Sequence, residues 1–258
     1  MSNTESHSPG QISWADLQST DPAAARAFYG ALLGWDFRVA GAEFGGYATA
    51  TREGRATAGI GGPMPGGPAR SVWTIYFASA NAVDDVARLA SAGAQVVAPA
   101  MPVGEFGTLA VLADPDGAVF GLWQPGTHTG FGTVDAPGSF CWAEVNSRQA
   151  ESNAAFYGAA FGHEVAPVEG MAYWTLNRGG RMQAGVLQMD AAWGELPPHW
   201  MVYFAVADAD AAAEQVRALG GTVHHGPFDT PYGRIAVVSD PQGGTFSIMQ
   251  PSALALES

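Results

Sequence analysis

Trp14–Gly34 reads WADLQSTDPAAARAFYGALLG, and Trp142–Gly162 reads WAEVNSRQAESNAAFYGAAFG. The two stretches align without a gap at a spacing of 128 residues: Trp14 with Trp142, Asp16 with Glu144, Phe28-Tyr29-Gly30-Ala31 with Phe156-Tyr157-Gly158-Ala159. The correspondence continues in order. Arg52–Ile60 (REGRATAGI) matches Arg178–Val186 (RGGRMQAGV), Tyr76-Phe77-Ala78 matches Tyr203-Phe204-Ala205, and Asp114-Pro115-Asp116-Gly117 matches Asp240-Pro241-Gln242-Gly243. The chain is a tandem duplication, and a repeat of this length outranks local propensity as a guide to fold. The copies predict domains over 11–125 and 139–251, joined by a Gly-, Thr- and Pro-rich linker over 126–138. Residues 1–10 are polar and predict a disordered start, with a tail over 252–258.

A shorter period sits inside each copy. Helix-like segments begin near Asp21, Asn81, Gln149 and Asp208, about sixty residues apart. Asp21 can cap the first, and Pro22 suits its opening turn. Val83, Val86 and Leu89 predict the apolar stripe of the second, and Gly93 its end. Each helix follows a short apolar run (Ile12–Gln18, Val72–Ala78, Phe140–Asn146, Trp200–Val206) and precedes further short strands. The unit is strand, helix, then several strands, four times over. One such unit can hardly bury its own sheet face, whereas two sharing a curved sheet with helices outside can. The fold class is therefore α+β: four βαβββ modules forming two cup-shaped sheets.

Composition narrows the partners. The 258 residues carry a formal net charge of −13, which repels phosphate backbones and anionic lipid surfaces. Neither nucleic-acid binding nor membrane attachment is expected. No run of 18 apolar residues exists, the start lacks a signal-peptide core, and one cysteine, Cys141, permits no intramolecular disulfide. A cytoplasmic protein is the expectation. The Gly-rich GIGGPMPGG lacks the lysine of a phosphate loop and reads as a connection between modules.

Three elements, each present twice and in order, carry a family resemblance: FYGALLGW and FYGAAFGH, the YFA strands, and DPDGAVFGLWQP and DPQGGTFSIMQP. Over Gln11–Pro251 the chain resembles the vicinal oxygen chelate superfamily, which includes glyoxalase I, bleomycin-resistance proteins and extradiol dioxygenases. Its tandem form is similar to actinobacterial proteins of anthracycline pathways. The resemblance implies a cup built by two βαβββ modules, and two copies in place of two chains, hence a monomeric pseudo-dimer. In metal-using members, His or Glu stand at three cup-facing strand positions. Carried over, these are Trp14, Thr74 and Gly121 in the first copy and Trp142, Met201 and Ser247 in the second. None is a usual ligand for a divalent ion. A displaced site from Glu144 and His199 would supply only two protein ligands. The expectation is a protein without metal or other cofactor.

What replaces the ligands is aromatic and apolar with few polar groups, as in organic-ligand pockets. Alternate positions give Trp14, Asp16, Thr74, Tyr76, Gly121 and Trp123 for one cup, and Trp142, Glu144, His199, Met201, Tyr203, Ser247 and Met249 for the other. The tryptophans suit stacking on a flat ligand or packing beneath the helices, and the tyrosines suit either a site or the core. Asp16 and Glu144 are costly in an apolar strand unless paired or used. They either pair with Arg55 and Arg181, which recur in the repeat, or serve a site, where an unpaired Glu144 would have a raised pKa and act as acid or base. His199, after Pro197-Pro198, suits an exposed loop or a catalytic role with Glu144, Asp16 and Tyr203. Cys141, beside Trp142, should face away from the cup as an inert thiol.

Two main functions follow. One is a metal-independent tailoring or accessory enzyme acting on a hydrophobic, aromatic natural product such as a polyketide. The other is a non-catalytic protein that sequesters a drug, for which the acidic surface suits a cationic ligand. A metal enzyme with displaced ligands is disfavoured by the missing donors.

Overall fold

A computed structural model of the chain describes residues 7–41, 44–63 and 70–252. Most of the expected disordered start (1–10) and of the C-terminal tail (252–258) lies outside the described residues, as does part of the GIGGPMPGG connection. The first copy runs β1 (Ile12–Gln18), α1 (Pro22–Leu33), β2 (Asp36–Val39), β3 (Ala48–Arg52), β4 (Arg55–Gly61), β5 (Val72–Ala78), α2 (Ala82–Ser91), β6 (Gln95–Val103), β7 (Gly107–Ala113) and β8 (Val119–Pro125). The second runs β9 (Phe140–Ser147), α3 (Ala150–Phe161), β10 (Glu164–Pro167), β11 (Tyr173–Arg178), β12 (Arg181–Gln188), β13 (His199–Ala205), α4 (Ala209–Ala218), β14 (Thr222–Thr230), β15 (Gly233–Ser239) and β16 (Thr245–Pro251). This is the βαβββ unit four times, as the inner period predicts.

The strands form two eight-stranded mixed sheets, ordered β2-β3-β4-β1-β5-β8-β7-β6 and β10-β11-β12-β9-β13-β16-β15-β14. Hairpin neighbours are antiparallel, whereas β1 pairs with β4, β5 with β8, β9 with β12 and β13 with β16 in parallel. A parallel pair needs a crossover, and each module's helix supplies it. The first helix starts where its cap predicts: the Asp21 carboxylate accepts from Ala23 N–H and Ala24 N–H, with Pro22 as the opening residue. In α2 the stripe differs from expectation. Val83 is 63 % exposed, and Ala82 and Leu89 are the buried positions, an i, i+7 pair.

Gln149 begins α3 without a side-chain cap bond. Asp116, from the DPDG turn of the other copy, braces the residues that lead into the helix, accepting from Arg148 N–H and Ser147 Oγ–H at 2.6 Å each and from Gln149 N–H at 3.4 Å, while Ala150 N–H donates to Gln188 Oε1. The repeat sets Gln242 where Asp116 stands, and Asp21 where Gln149 stands.

The chain divides into two compact units, and each mixes both copies. The first comprises Met1–Trp14, Ile75–Gly130 and Ala143–Met201; the second comprises Ala15–Thr74, Phe131–Trp142 and Val202–Ser258. A buried triad explains the exchange. In the first unit Trp200 Nε1–H donates to Tyr157 Oη at 2.9 Å, and Tyr157 O–H donates to Asp114 Oδ2 at 2.8 Å. Asn153 Nδ2–H reaches the same oxygen at 2.8 Å, while Asp114 Oδ1 accepts the N–H groups of Asp116, Gly117 and Ala118. The second unit repeats it: Trp73 to Tyr29 and Tyr29 to Asp240, both at 3.0 Å, with Asp240 Oδ1 holding the Gln242 and Gly244 amides. The tyrosine of each FYG thus meets the aspartate of the other copy's DPxG. Burial raises both carboxyls above the ordinary range and both phenols above theirs.

The linker is packed rather than loose. Phe131 stacks on Phe140 at 4.7 Å, Arg52 Nε–H donates to Pro137 O, and Trp35 Nε1–H donates to Gly138 O. The N-terminal segment is held as well: Gly10 O bonds His163 Nε2 at 2.9 Å. No helix among the described residues is long and apolar enough to cross a membrane.

Candidate functional site

The anticipated residues fall in both units. Trp14, Tyr76, Trp123, Glu144, His199 and Met201 belong to the first, and Asp16, Thr74, Trp142, Tyr203, Ser247 and Met249 to the second.

In the first unit, Tyr76 and Gly121 are register partners on β5 and β8. A Cβ at Gly121 would land inside the Tyr76 ring, so the glycine exists to seat the tyrosine rather than to leave open room for a ligand. Trp14 and Trp123 are both buried, and the ring between them belongs to the chain itself. His128 lies 4.4 Å from Trp14, edge to face, and 5.5 Å from Trp123. Trp123 Nε1–H donates to His128 O at 2.8 Å. Burial, with a smaller contribution from His7, lowers the His128 pKa to about 4. The docked imidazole is therefore neutral. Its contribution to holding this loop is complete above the free-imidazole pKa of about 6.5 and is lost as pH falls towards 4, at about 1.4 kcal/mol per pH unit. Amide protection factors at Thr127–Thr129, corrected for the pH dependence of intrinsic exchange, should fall across that window, and flat protection from pH 7 to 4 would contradict the assignment.

The same unit holds Glu144, 8 % exposed on β9, with Asn146 two residues on and on the same face. His199 is the first residue of β13 and half-buried, not an exposed loop residue. Its Nδ1 faces Pro197 O at 2.8 Å and must donate, because a carbonyl only accepts. Nε2 is then the acceptor from Asn146 Nδ2–H at 3.3 Å, which fixes the neutral tautomer. Asn146 Oδ1 is left buried with no partner. Opposite Glu144 in register is Gly185, and the Tyr173 hydroxyl covers it so closely that any Cβ there would collide. Met201 is buried on β13.

The second unit has the counterpart. Asp16 is half-buried and opposite Gly59, and Tyr47 O–H donates to Asp16 Oδ2 at 3.3 Å over that glycine. Arg55 and Arg181, the anticipated ion-pair partners, are exposed. Each lies four residues along its strand from the glycine opposite the acid, about 13 Å away. The local partner of Asp16 is thus a tyrosine. Tyr203 and Ser247 are buried register partners on β13 and β16, and Ser247 Oγ has no partner. Thr74 and Met249 are buried, and Trp142 is half-buried. Cys141 donates to Tyr203 O at 3.5 Å, and burial pushes its thiol pKa up, which keeps it unreactive. His224 and His225 are exposed on β14.

The family model of the glyoxalase-like domain matches this chain twice, at residues 14–123 and 142–249. The chain belongs to the glyoxalase-like domain family. Among related proteins, CFP32 of Mycobacterium tuberculosis (strain CDC 1551) is 37 % identical over 260 residues, covering 98 % of this chain and 99 % of that one. The anthracycline biosynthesis protein DnrV of Streptomyces peucetius is 35 % identical over 262 residues, covering 94 % of each. Of solved structures, the Mn(II)-bound glyoxalase of Novosphingobium aromaticivorans superposes with a TM-score of 0.66 at 16 % identity, over 94 % of this chain and 82 % of that one. The 2,3-dioxygenase LapB of Pseudomonas sp. KL28 gives 0.64 at 13 %, over 94 % and 92 %. These two share the vicinal oxygen chelate fold with this chain.

A divalent metal is what that fold implies, and the residues present do not fit one. A carboxylate at position 121 would have to displace the Tyr76 ring, and Trp14 is engaged by His128. Among the described residues no group of three or more His, Cys, Asp or Glu is placed to hold a metal ion. Sequence reasoning missed Tyr47, Tyr173, Asn146 and His128. The glycines of AGI and AGV recur at one spacing with Tyr47 and Tyr173, and that recurrence is the signal that points to the tyrosines.

Proposed function

We propose that this glyoxalase-like protein binds a hydrophobic, aromatic small molecule and acts as a metal-independent tailoring or accessory enzyme of natural-product metabolism. The observation that carries the reading is Glu144. A carboxylate 8 % exposed stands in an apolar strand beside a buried, unpartnered amide oxygen, on strands where metal-using members place their ligands. Burying such groups is costly unless they are paired or used, and the unsatisfied Asn146 Oδ1 beside the carboxylate is the group left for a ligand. Glu144 holds or moves the proton, and His199 orients Asn146, whose Oδ1 accepts from a ligand hydroxyl or N–H. Tyr173 O–H, over Gly185, is a second donor in the same half. Asp16 with Tyr47, and Tyr203 beside Ser247, are the corresponding acid–base groups of the second unit. Trp14, Tyr76, Trp123 and Met201 supply the apolar and aromatic contacts of the first unit, and Thr74, Trp142 and Met249 those of the second.

The similarity to an anthracycline biosynthesis protein over nearly the whole chain supports the substrate class. The net charge of −13 suits a ligand that carries an amine, which also favours the second reading, sequestration without turnover. The two copies take the place of two chains, and the protein acts as a cytoplasmic monomer. The test is a titration of chelator-dialysed protein with an anthracycline and its aglycone, followed by tryptophan emission. Saturable quenching with an affinity unchanged by chelation is expected. No quenching across a panel of planar polyketides, or binding that vanishes on chelation, overturns the proposal.

A further inference from the structure

The loop Gly126–Gly130 was expected to be a linker, and its packing is that of an occupant. It is tied back by Gly126 N–H and His128 N–H to Phe106 O, and by Thr127 N–H and Oγ1–H to Glu105 O. Gly130, at φ 103, turns the chain out where any side chain would strike Ser13 O and His7. Between these anchors one side chain enters the protein. His128 stands between Trp14 and Trp123, two buried indoles set about one ring's width apart from it.

The occupant is a poor match for its slot. His128 Nε2 is buried and has no hydrogen-bond partner. An aromatic ring without a polar atom at that point would keep both ring contacts and lose the unsatisfied nitrogen. The lowered pKa of the imidazole reports the same mismatch. Glycines at both ends let the loop swing out once its bonds to Phe106 O, Glu105 O and the Trp123 indole are broken.

We propose that the space between Trp14 and Trp123 is a binding subsite for a planar, uncharged aromatic ring, and that His128 is its displaceable resident. The ligand class is a phenol or a comparable flat apolar ring, bound by edge and face contacts to the two indoles. The inference rests on the aromatic ligand class proposed above and locates one of its rings, without drawing on Glu144. It assigns the first unit a site that its own chain keeps filled, so binding there is a competition between ligand and loop.

Removal of the resident tests this. His128→Gly should bind phenol saturably, read by tryptophan emission excited beyond the phenol band, at least tenfold more tightly than the wild type. Adding Trp123→Leu to that variant should abolish the binding. His128→Phe, which fills the slot without a buried nitrogen, should melt at a higher temperature than the wild type and bind phenol more weakly. Equal phenol affinity in His128→Gly and wild type, binding that survives Trp123→Leu, or a lower Tm for His128→Phe each overturns the inference. His128→Phe decides the matter if His128→Gly does not fold. The Trp123→Leu arm confines the phenol readout to this slot, so a negative result here leaves the Glu144 reading standing, and failure of the larger anthracyclines to bind leaves this one standing.

Discussion

Asp114→Ala is expected to cost about 3–5 kcal/mol of unfolding free energy, a large share of the roughly 5–15 kcal/mol that holds an ordinary domain folded. The carboxylate is fully buried and accepts from three backbone amides, the Tyr157 hydroxyl and the Asn153 amide. Alanine leaves the Asp116 and Ala118 amides, the Tyr157 hydroxyl and the Asn153 amide without this acceptor, while Gly117 N–H keeps the backbone carbonyl of residue 114, and each orphaned group carries its own desolvation cost. Asp114→Asn keeps Oδ1 for the turn and should cost clearly less than alanine. Tyr157→Phe removes one bond to the carboxylate and one acceptor for Trp200, for about 1–2 kcal/mol. Urea unfolding of the three variants and of the Asp114→Ala/Tyr157→Phe double variant would check this. A loss below 1 kcal/mol for Asp114→Ala, or strict additivity in the double variant, would show that the triad is not a unit. The pH dependence carries a defined sign. The folded-state pKa of Asp114 is raised by burial, so its contribution is full below the unfolded value near 3.8 and declines as pH rises through the folded value.

Glu144→Gln should lower turnover by about 10²–10⁴-fold while leaving ligand affinity within a few fold, because it removes the proton and keeps the shape. The substrate is whichever natural product the emission titration selects. The same variant separates catalysis from architecture. If the carboxylate served only to hold β9 against its neighbours, the amide would lower stability and leave chemistry intact. If it is an acid or base, turnover falls while the amide, which keeps the shape of the side chain, leaves the fold intact. Unchanged turnover in a well-folded Glu144→Gln protein would take Glu144 out of the mechanism.

The fold was legible because its markers are local and repeated. DPxG is a turn whose aspartate caps its own amides, FYG ends a helix, and both occur once per copy. What could not be read is which tyrosine meets which aspartate. A repeat makes Tyr29 with Asp114 and Tyr29 with Asp240 equivalent on paper, and only the path of the chain joins Tyr29 to Asp240. The site was legible in part. Strand alternation put Glu144 on a polar-bearing face, and the triplet of absent ligands at Trp14, Thr74 and Gly121 could be counted. His128 was hidden because it sits in a run of Gly, Thr and Pro that reads as linker. Asn146 was hidden because an amide at a strand end is unremarkable until its two bonding groups are traced. Val83 misled because i, i+3, i+6 spacing drifts around a helix, and burial follows Ala82 instead.

The approach to α3 bears on how the gene can still change. Asp116 braces the residues leading into a helix of the other copy, while α1 carries its own cap in Asp21, and the repeat puts Gln242 at the position of Asp116. The halves have become a lock and its key. A protein assembled from two first copies would crowd Asp21 and Asp116 at each such helix start, and one from two second copies would set Gln149 beside Gln242 and offer no carboxylate. Gene conversion between the halves, which would erase their differences, is thereby penalised, and each half is free to specialise only in the company of the other.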